Sequence, residues 1–294
     1  MIYTLQAGEI TAKIDSLGAE LISLQKAGHE YIWCGDPSYW NGHNPTLFPV
    51  IGFLKNNKTY FDGVEYEIPK HGYARKTQFE LCSQSNNAIT LRMADSETTR
   101  VGYPFRFAFE ITHRLTENGF ETSYHLINHS NNVMPFMIGG HTGIALPFSD
   151  GAKFSDHTLI FEYPESDVTR YIAVNGQIIE NPIGQLNYLD GADRLPLSYE
   201  LFNEDALMLT GLKSTKVALL DRFGYGVGME FDGFDALGIW TPAGKNAPFV
   251  CLEPWNGINA FINEDAEFSK KPFIRSLNAG DDYTVSYHVH IIDS

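Results

Sequence analysis

The sequence predicts an all-β fold, a large antiparallel β-sandwich. Three observations carry that reading. Apolar and polar residues alternate with period two along most of the chain, which turns one face of each segment to a core and the other to solvent. Apolar residues at helical spacing are nowhere sustained beyond about ten residues. Finally, 26 glycines and 14 prolines punctuate the 294 residues at short intervals, as the turns of a many-stranded sheet require.

Taken in order, Ile10-Thr11-Ala12-Lys13-Ile14 and Leu21-Ile22-Ser23-Leu24 read as strands, and so does Val64-Glu65-Tyr66-Glu67-Ile68. Gln78–Cys82 and Ile89–Met93 flank Ser85-Asn86-Asn87 and form a first hairpin. Phe107–Ile111 and Phe120–Tyr124 flank Glu117-Asn118-Gly119, a stronger hairpin because Asn-Gly suits a tight turn. Val217–Leu220 and Val227–Phe231 bracket Gly224-Tyr225-Gly226, and Tyr283–Val289 closes the series with clean alternation. No Ser/Gly linker, charge block, low-complexity segment or internal repeat divides the chain. Residues 1–294 are therefore read as one domain, a length that a large β domain can fill.

Hydrophobic residues make up 43% of the chain, enough for a substantial core, and aromatics reach 13%, which suits sheet packing. The formal charge is −15. Such a surface repels nucleic acid and anionic membranes, so a small neutral molecule is the expected partner, and a phosphate needs a local Arg or Lys cluster. Cys34, Cys82 and Cys251 are far apart, odd in number and form no C-x-x-C, which argues against a disulfide framework or zinc ribbon and for free buried thiols. The start, Met1 to Gln6, is not a signal peptide, and no run approaches about 18 apolar residues, so a cytoplasmic location is expected.

Several stretches carry candidate chemistry. In Leu252-Glu253-Pro254-Trp255 a carboxylate follows the apolar run Ala247–Leu252. Burying a charge without partners is expensive, so Glu253 needs a partner or a role. Pro254 biases it towards an extended backbone, which suits a strand end facing a pocket, with Trp255 as an apolar wall for a sugar. The alternative is a structural carboxylate capping backbone N–H groups. In Gly139-Gly140-His141-Thr142-Gly143 the glycines let another molecule approach closely, and an imidazole is readily poised as acid or base; the alternative is a turn with a solvated ring. Lys70-His71-Gly72-Tyr73-Ala74-Arg75 offers an imidazole and a guanidinium, or an ordinary basic loop.

A metal is not expected. His288 and His290 share a strand face roughly 7 Å apart, but Thr284 and Ser286 on that face mark it as solvated. His125 and His129 lie about 13 Å apart along a strand, too far to share an ion. Nucleotide-binding glycine loops and the G-x-S-x-G elbow are absent, which removes most support for nucleotide and serine-hydrolase chemistry.

Taken together, the ordered motifs resemble the aldose 1-epimerase (galactose mutarotase) superfamily, and within it the LacX-type branch. The resemblance runs through Tyr31-Ile32-Trp33, Tyr39-Trp40, the stretch from Pro45 to Gly52, and His71-Gly72-Tyr73-Ala74-Arg75. It continues through Gly140-His141-Thr142-Gly143 and Trp240-Thr241-Pro242 to the stretch from Phe249 to Gly257, nearly the whole chain. It implies a galactose mutarotase-like supersandwich with a concave sugar-binding face. It also implies Glu253 as catalytic base, His141 as catalytic acid, and His71 as a second histidine polarising the ring oxygen. Arg75, Asp205, Trp255, Trp240 and His43 are placed with the substrate-binding residues, with Glu204 competing for the role of Asp205. Many relatives carry a basic residue shortly before the Pro45 motif or an Arg directly after Gly52; here Asn41-Gly42-His43-Asn44 and Phe53 stand instead. Phosphorylated sugars then rest on Lys55, Lys70 and Arg75.

The implied reaction interconverts the α and β anomers of a hexose. A base takes the O1 proton, an acid protonates O5, and the aldehyde rotates about C1–C2 and recloses; no metal or redox cofactor is needed. Each acid or base step gives about 100- to 10,000-fold. Efficiency asks for an ionised Glu253 and a protonated His141. The alternatives are a non-catalytic carbohydrate-binding protein and a hexose-6-phosphate 1-epimerase; a metal-dependent cupin-like enzyme built on His288 and His290 is the weakest. A monomer or homodimer acting on an aldohexose completes the expectation.

Overall fold

The alternation of the sequence becomes an alternation of burial. Along the Gly119–Asn128 strand every second side chain from Phe120 onward is buried and those between are half-buried. The Asp282–Ile292 strand repeats the pattern beside it, in antiparallel register from Gly119↔His290 to Ile127↔Asp282. One face of this sheet meets the core while the other carries polar pairs in water. The structure, a computed structural model, describes residues 1–293 apart from 167, 172, 175, 176, 179–188 and 190.

These strands lie inside a nine-stranded antiparallel sheet. Its order is Ala192–Pro196, His157–Glu165, Lys216–Asp221, Gly226–Glu230, Asp282–Ile292, Gly119–Asn128, Phe107–Leu115, Ala88–Ala94 and Glu80–Gln84. All three hairpins expected from the sequence occur in it. A second sheet has Phe249–Asn256 at its heart, paired on one side with Ala236–Trp240 and on the other with both Ile138–Gly139 and Thr142–Ala145. It extends through Leu207–Thr210 to Thr169–Tyr171. Ile2–Ala7, Ile10–Asp15, Glu20–Lys26 and His29–Glu30 make a third sheet. The fold is thus the large antiparallel β-sandwich that the sequence predicts.

One hydrophobic cluster runs from Leu5 to Ile291 and joins these sheets; Phe48 stands in it against Phe109, ring centroids 4.8 Å apart. Each fully buried side chain of this size contributes roughly 1.5–3 kcal/mol. A smaller cluster of Trp33, Ala247, Phe249 and Cys251 is packed by Tyr39, Trp40 and Trp240. Period two sorts the Phe249–Asn256 strand between the two: Val250 and Leu252 enter the large cluster, Phe249 and Cys251 the small one. The strand is buried on both faces, and Glu253 and Trp255 on one of them line the cleft described below.

Among the described residues the one α-helix is Glu97–Gly102, capped by Ser96, whose Oγ accepts the Thr99 N–H. No helix among them is long and apolar enough to cross a membrane. The cysteines are free, as expected, but only Cys251 is buried; Cys34 and Cys82 are exposed. Both lie where alternation gave no guide, Cys34 outside any strand and Cys82 at a register shift in the outermost strand of the large sheet.

Candidate active site

The partner of the Phe249–Asn256 strand is interrupted. Ile138 and Gly139 pair with Asn256 and Trp255, and Thr142 to Ala145 pair with Leu252 to Phe249 in the same register. Only Gly140 and His141 fall out of the ladder between them. Carrying the register across the gap sets Gly140 opposite Pro254 and His141 opposite Glu253. Pro254 has no N–H to offer a ladder, so it fits where the ladder breaks; its carbonyl still accepts the Gly140 N–H at 3.1 Å. Directly opposed side chains on one face meet. Here His141 Nε2 lies 3.1 Å from Glu253 Oε2, with both side chains nearly inaccessible to solvent. On the other flank Gly238 is the register partner of Glu253, and a Cβ there would stand 2.6 Å from the Trp255 ring. Glu253 is therefore inside a strand, not at a strand end as its proline suggested, because the break lies in the neighbouring strand.

His71 arrives from a loop. Its backbone has φ 62°, an uncommon conformation for a non-glycine residue, held by its N–H donating to Gly52 O at 2.9 Å. The Gly52 N–H returns a bond to His71 Nδ1 at 3.0 Å. A ring nitrogen that accepts carries no proton, so neutral His71 bears its proton on Nε2. Two glycines make this fold-back feasible: a Cβ on Gly52 would overlap Asn259 Oδ1 at 1.1 Å, and one on Gly72 would meet Phe48 O at 2.1 Å. The His71 and His141 rings stand edge to face, centroids 6.0 Å apart.

These three side chains line one cleft of about 220 Å³, the size of a single small molecule rather than an extended chain. Of the residues expected to hold substrate, Arg75, Asp205, Trp240 and Trp255 line it as well. Glu204 does not, and neither does His43, whose Nδ1 lies 3.5 Å from Glu20 Oε1. His43 was expected with the substrate-binding residues, but Glu20 Oε1 accepts its backbone N–H at 2.7 Å and it does not line the cleft. Sequence reasoning assigned no site role to Trp40, Phe53 or Asn259, which also line the walls. Trp40 is stacked on His141 with centroids 4.9 Å apart and planes 27° apart; its place in the Tyr39-Trp40 motif was the available signal. Lys70 stands over the Phe53 ring at 4.5 Å. The His288 and His290 pair lies away from the cleft, with His288 Nε2 3.0 Å from Glu121 on an exposed face.

Burial dominates the electrostatics. It pushes the Glu253 carboxyl well above the usual carboxylate range, and Asp205 adds to the rise. Lys70 pulls it back, and the Trp255 indole N–H, which makes no complete hydrogen bond, is the weakest influence. His141 is pushed down to about 3, by burial first and then by the charges of Lys70 and Arg75. His71 is lowered well below its ordinary value by burial and then by His141, Lys70 and Arg75. The expectation of an ionised Glu253 beside a protonated His141 thus meets an opposing force, since desolvation disfavours both charges. The charged pair and the neutral pair hold the same number of protons. They differ by one transfer along the 3.1 Å contact, and in the free protein burial favours the neutral form. His141 Nδ1 and Arg75 Nε are buried without a hydrogen-bond partner among the described residues, donor capacity that a bound molecule can satisfy.

Comparison with known proteins sets this geometry in context. The family model described as aldose 1-epimerase matches residues 1–290. The chain is 30% identical to the chromosomal LacX protein of Lactococcus lactis subsp. lactis over the full length of both. It superposes on a galactose mutarotase related enzyme from Lactobacillus acidophilus with TM-score 0.92 and 29% identity, covering 99% of this chain and 97% of the other. A galactose mutarotase-like protein from Lactobacillus casei gives TM-score 0.88 at 27% identity, covering 99% and 100%.

Proposed function

Because the chain belongs to the aldose 1-epimerase family, we propose that its cleft opens and recloses the ring of an aldohexose and so exchanges α and β anomers. The observation that carries this reading is the convergence of Glu253, His141 and His71 on one cleft sized for a single sugar. Glu253 takes the proton from O1 and His141 delivers one to O5; reclosure on the other face of C1 reverses the transfers. His71, neutral and protonated on Nε2, donates a hydrogen bond to the ring oxygen and favours the charge that gathers there as C1–O5 breaks. From the neutral resting pair, transfer of the Glu253 proton to His141 along their 3.1 Å contact, on binding of the sugar, readies the carboxylate as base and the imidazolium as acid. Two proton-transfer groups, each contributing about 100- to 10,000-fold, suffice for a reaction that already runs in water. Trp40, Trp240 and Trp255 offer apolar faces to the sugar ring, and Arg75 and Asp205 offer polar contacts to its hydroxyls.

Polarimetry on fresh α-D-galactose and α-D-glucose tests the reading. Acceleration of the approach to equilibrium by the wild-type protein supports it, and rotation decaying at the buffer rate contradicts it.

A second reading has its own observation. Lys70 and Arg75 both line the cleft, and neither is in a carboxylate ion pair among the described residues. A sugar carrying a phosphate would fit that wall. Preferential competition by glucose 6-phosphate over glucose would favour it.

A further inference from the structure

Beneath Glu253 and His141 lies a third side chain that the reaction does not use, buried rather than lining the cleft. Cys251 precedes Glu253 by two residues on the same strand, so both point to the same face. A nitrogen of His141, the Cys251 sulfur and a Glu253 oxygen all lie within 4.8 Å of one another. We propose that these three side chains form a binding site for a soft divalent cation of the Zn²⁺ or Cd²⁺ class, and that its occupation shuts the reaction off by engaging the acid and the base together.

Geometry favours this. Two ligands each about 2.0 Å from a tetrahedral zinc stand about 3.3 Å apart. His141 Nε2 and Glu253 Oε2 stand 3.1 Å apart already. The sulfur needs an approach on the order of 1 Å to complete the third edge. Three protein ligands leave a fourth position for water, and the occupied trio can no longer engage a sugar. Thiolate and imidazole select Zn²⁺ and Cd²⁺ over Mg²⁺ and Ca²⁺, which prefer oxygen. Charge also balances: a divalent cation, a thiolate and a carboxylate sum to zero, the cheapest result in a buried site. On binding, the sulfur and Glu253 each lose a proton to solvent, His141 gives its free lone pair, and nothing is oxidised or reduced. His141 Nδ1 is left outside the coordination, as it is outside every hydrogen bond among the described residues. The strands hold the trio in place: His141 and Glu253 are cross-strand neighbours, and Trp40 stacked on the His141 ring fixes its plane.

The inhibitory part rests on the anomerase reading; the binding part does not, and two measurements separate them. Cd²⁺ titration of reduced, chelator-treated protein should produce a sulfur-to-metal charge-transfer band in the ultraviolet. Cys34 and Cys82 can bind adventitiously, so the titration uses a variant with both changed to serine. The band should saturate at one Cd²⁺ per chain and vanish in the further variant Cys251→Ser, whose affinity falls about 100-fold or more. In the anomer-exchange assay Zn²⁺ should inhibit the Cys34/Cys82-substituted protein in competition with sugar, and Cys251→Ser, or Cys251→Ala if serine impairs folding, should stay active but become about 100-fold less sensitive. A band of equal strength in the Cys251→Ser protein overturns the site. Equal Zn²⁺ sensitivity with and without Cys251 overturns the inhibition. A saturable, Cys251-dependent band in a protein without anomerase activity would uphold the site and contradict the function.

Discussion

The cleft floor and the niche around His113 bury the same kind of side chain to different ends. His113 is enclosed in the nine-stranded sheet, with Nδ1 2.9 Å from Thr122 Oγ1 and Nε2 2.8 Å from Ala19 O. Every polar atom of that ring is matched within the protein. His141 is almost as deeply buried, yet its Nδ1 has no partner among the described residues and its Nε2 faces a carboxyl that is itself buried. Burial lowers both rings, His113 to about 4 and His141 to about 3. A shifted imidazole therefore does not mark a site by itself. What separates the two is incomplete satisfaction beside a cleft: one ring is locked in place, and the other is held ready for a guest.

Substitutions can break that contrast. His141→Asn should lower anomer exchange about 100- to 10,000-fold with an unchanged thermal midpoint, read by polarimetry and calorimetry in parallel. His71→Ala should lower it about 100-fold, chiefly in kcat, because a hydrogen bond to the developing oxyanion is lost. His113→Ala should do the reverse. It leaves Thr122 and the Ala19 carbonyl unmatched around a cavity, costing about 3 kcal/mol in denaturant unfolding, with kcat unchanged in the protein that remains folded.

Acid sharpens the same comparison. Above pH 6.5 His113 is neutral whether the chain is folded or not. Below it the unfolded chain takes up a proton that the folded ring refuses until about pH 4. Stability present near neutrality is thus lost between those values, by about 3 kcal/mol from this ring alone. His113→Asn should start less stable but lose less on acidification, as denaturant midpoints at pH 7 and 4.5 would register. The smallest effect expected is from Trp40→Leu, which removes the indole stacked on His141 and should lower kcat about fivefold with KM moving less.

Much of this was legible beforehand. Alternation located the three hairpins, one of them also marked by its Asn118-Gly119 turn, because a half-buried antiparallel strand imprints period two on its residues. The order of short motifs along the chain points to Glu253, His141 and His71 sharing one cleft, and all three line it. The interrupted partner strand was not legible, since Gly140 and His141 are missing from the ladder only through long-range pairing with Pro254 and Glu253. His43 does not line the cleft, because proximity along the chain says nothing about the Glu20 carboxylate that accepts the His43 and Asn44 backbone N–H groups. Cys251 reads from sequence as an ordinary buried thiol, and only register and facing reveal it as a neighbour of both Glu253 and His141.

The central claim is that a carboxyl and an imidazole set face to face across a broken strand pair move the protons of ring opening. Magnetisation exchange between the α and β anomeric protons of D-galactose at equilibrium tests it most directly, with wild-type protein and Glu253→Gln compared at equal concentration. Rapid exchange in the wild type that disappears in a folded Gln variant is the expected result. Exchange as fast in the Gln variant as in the wild type would contradict it.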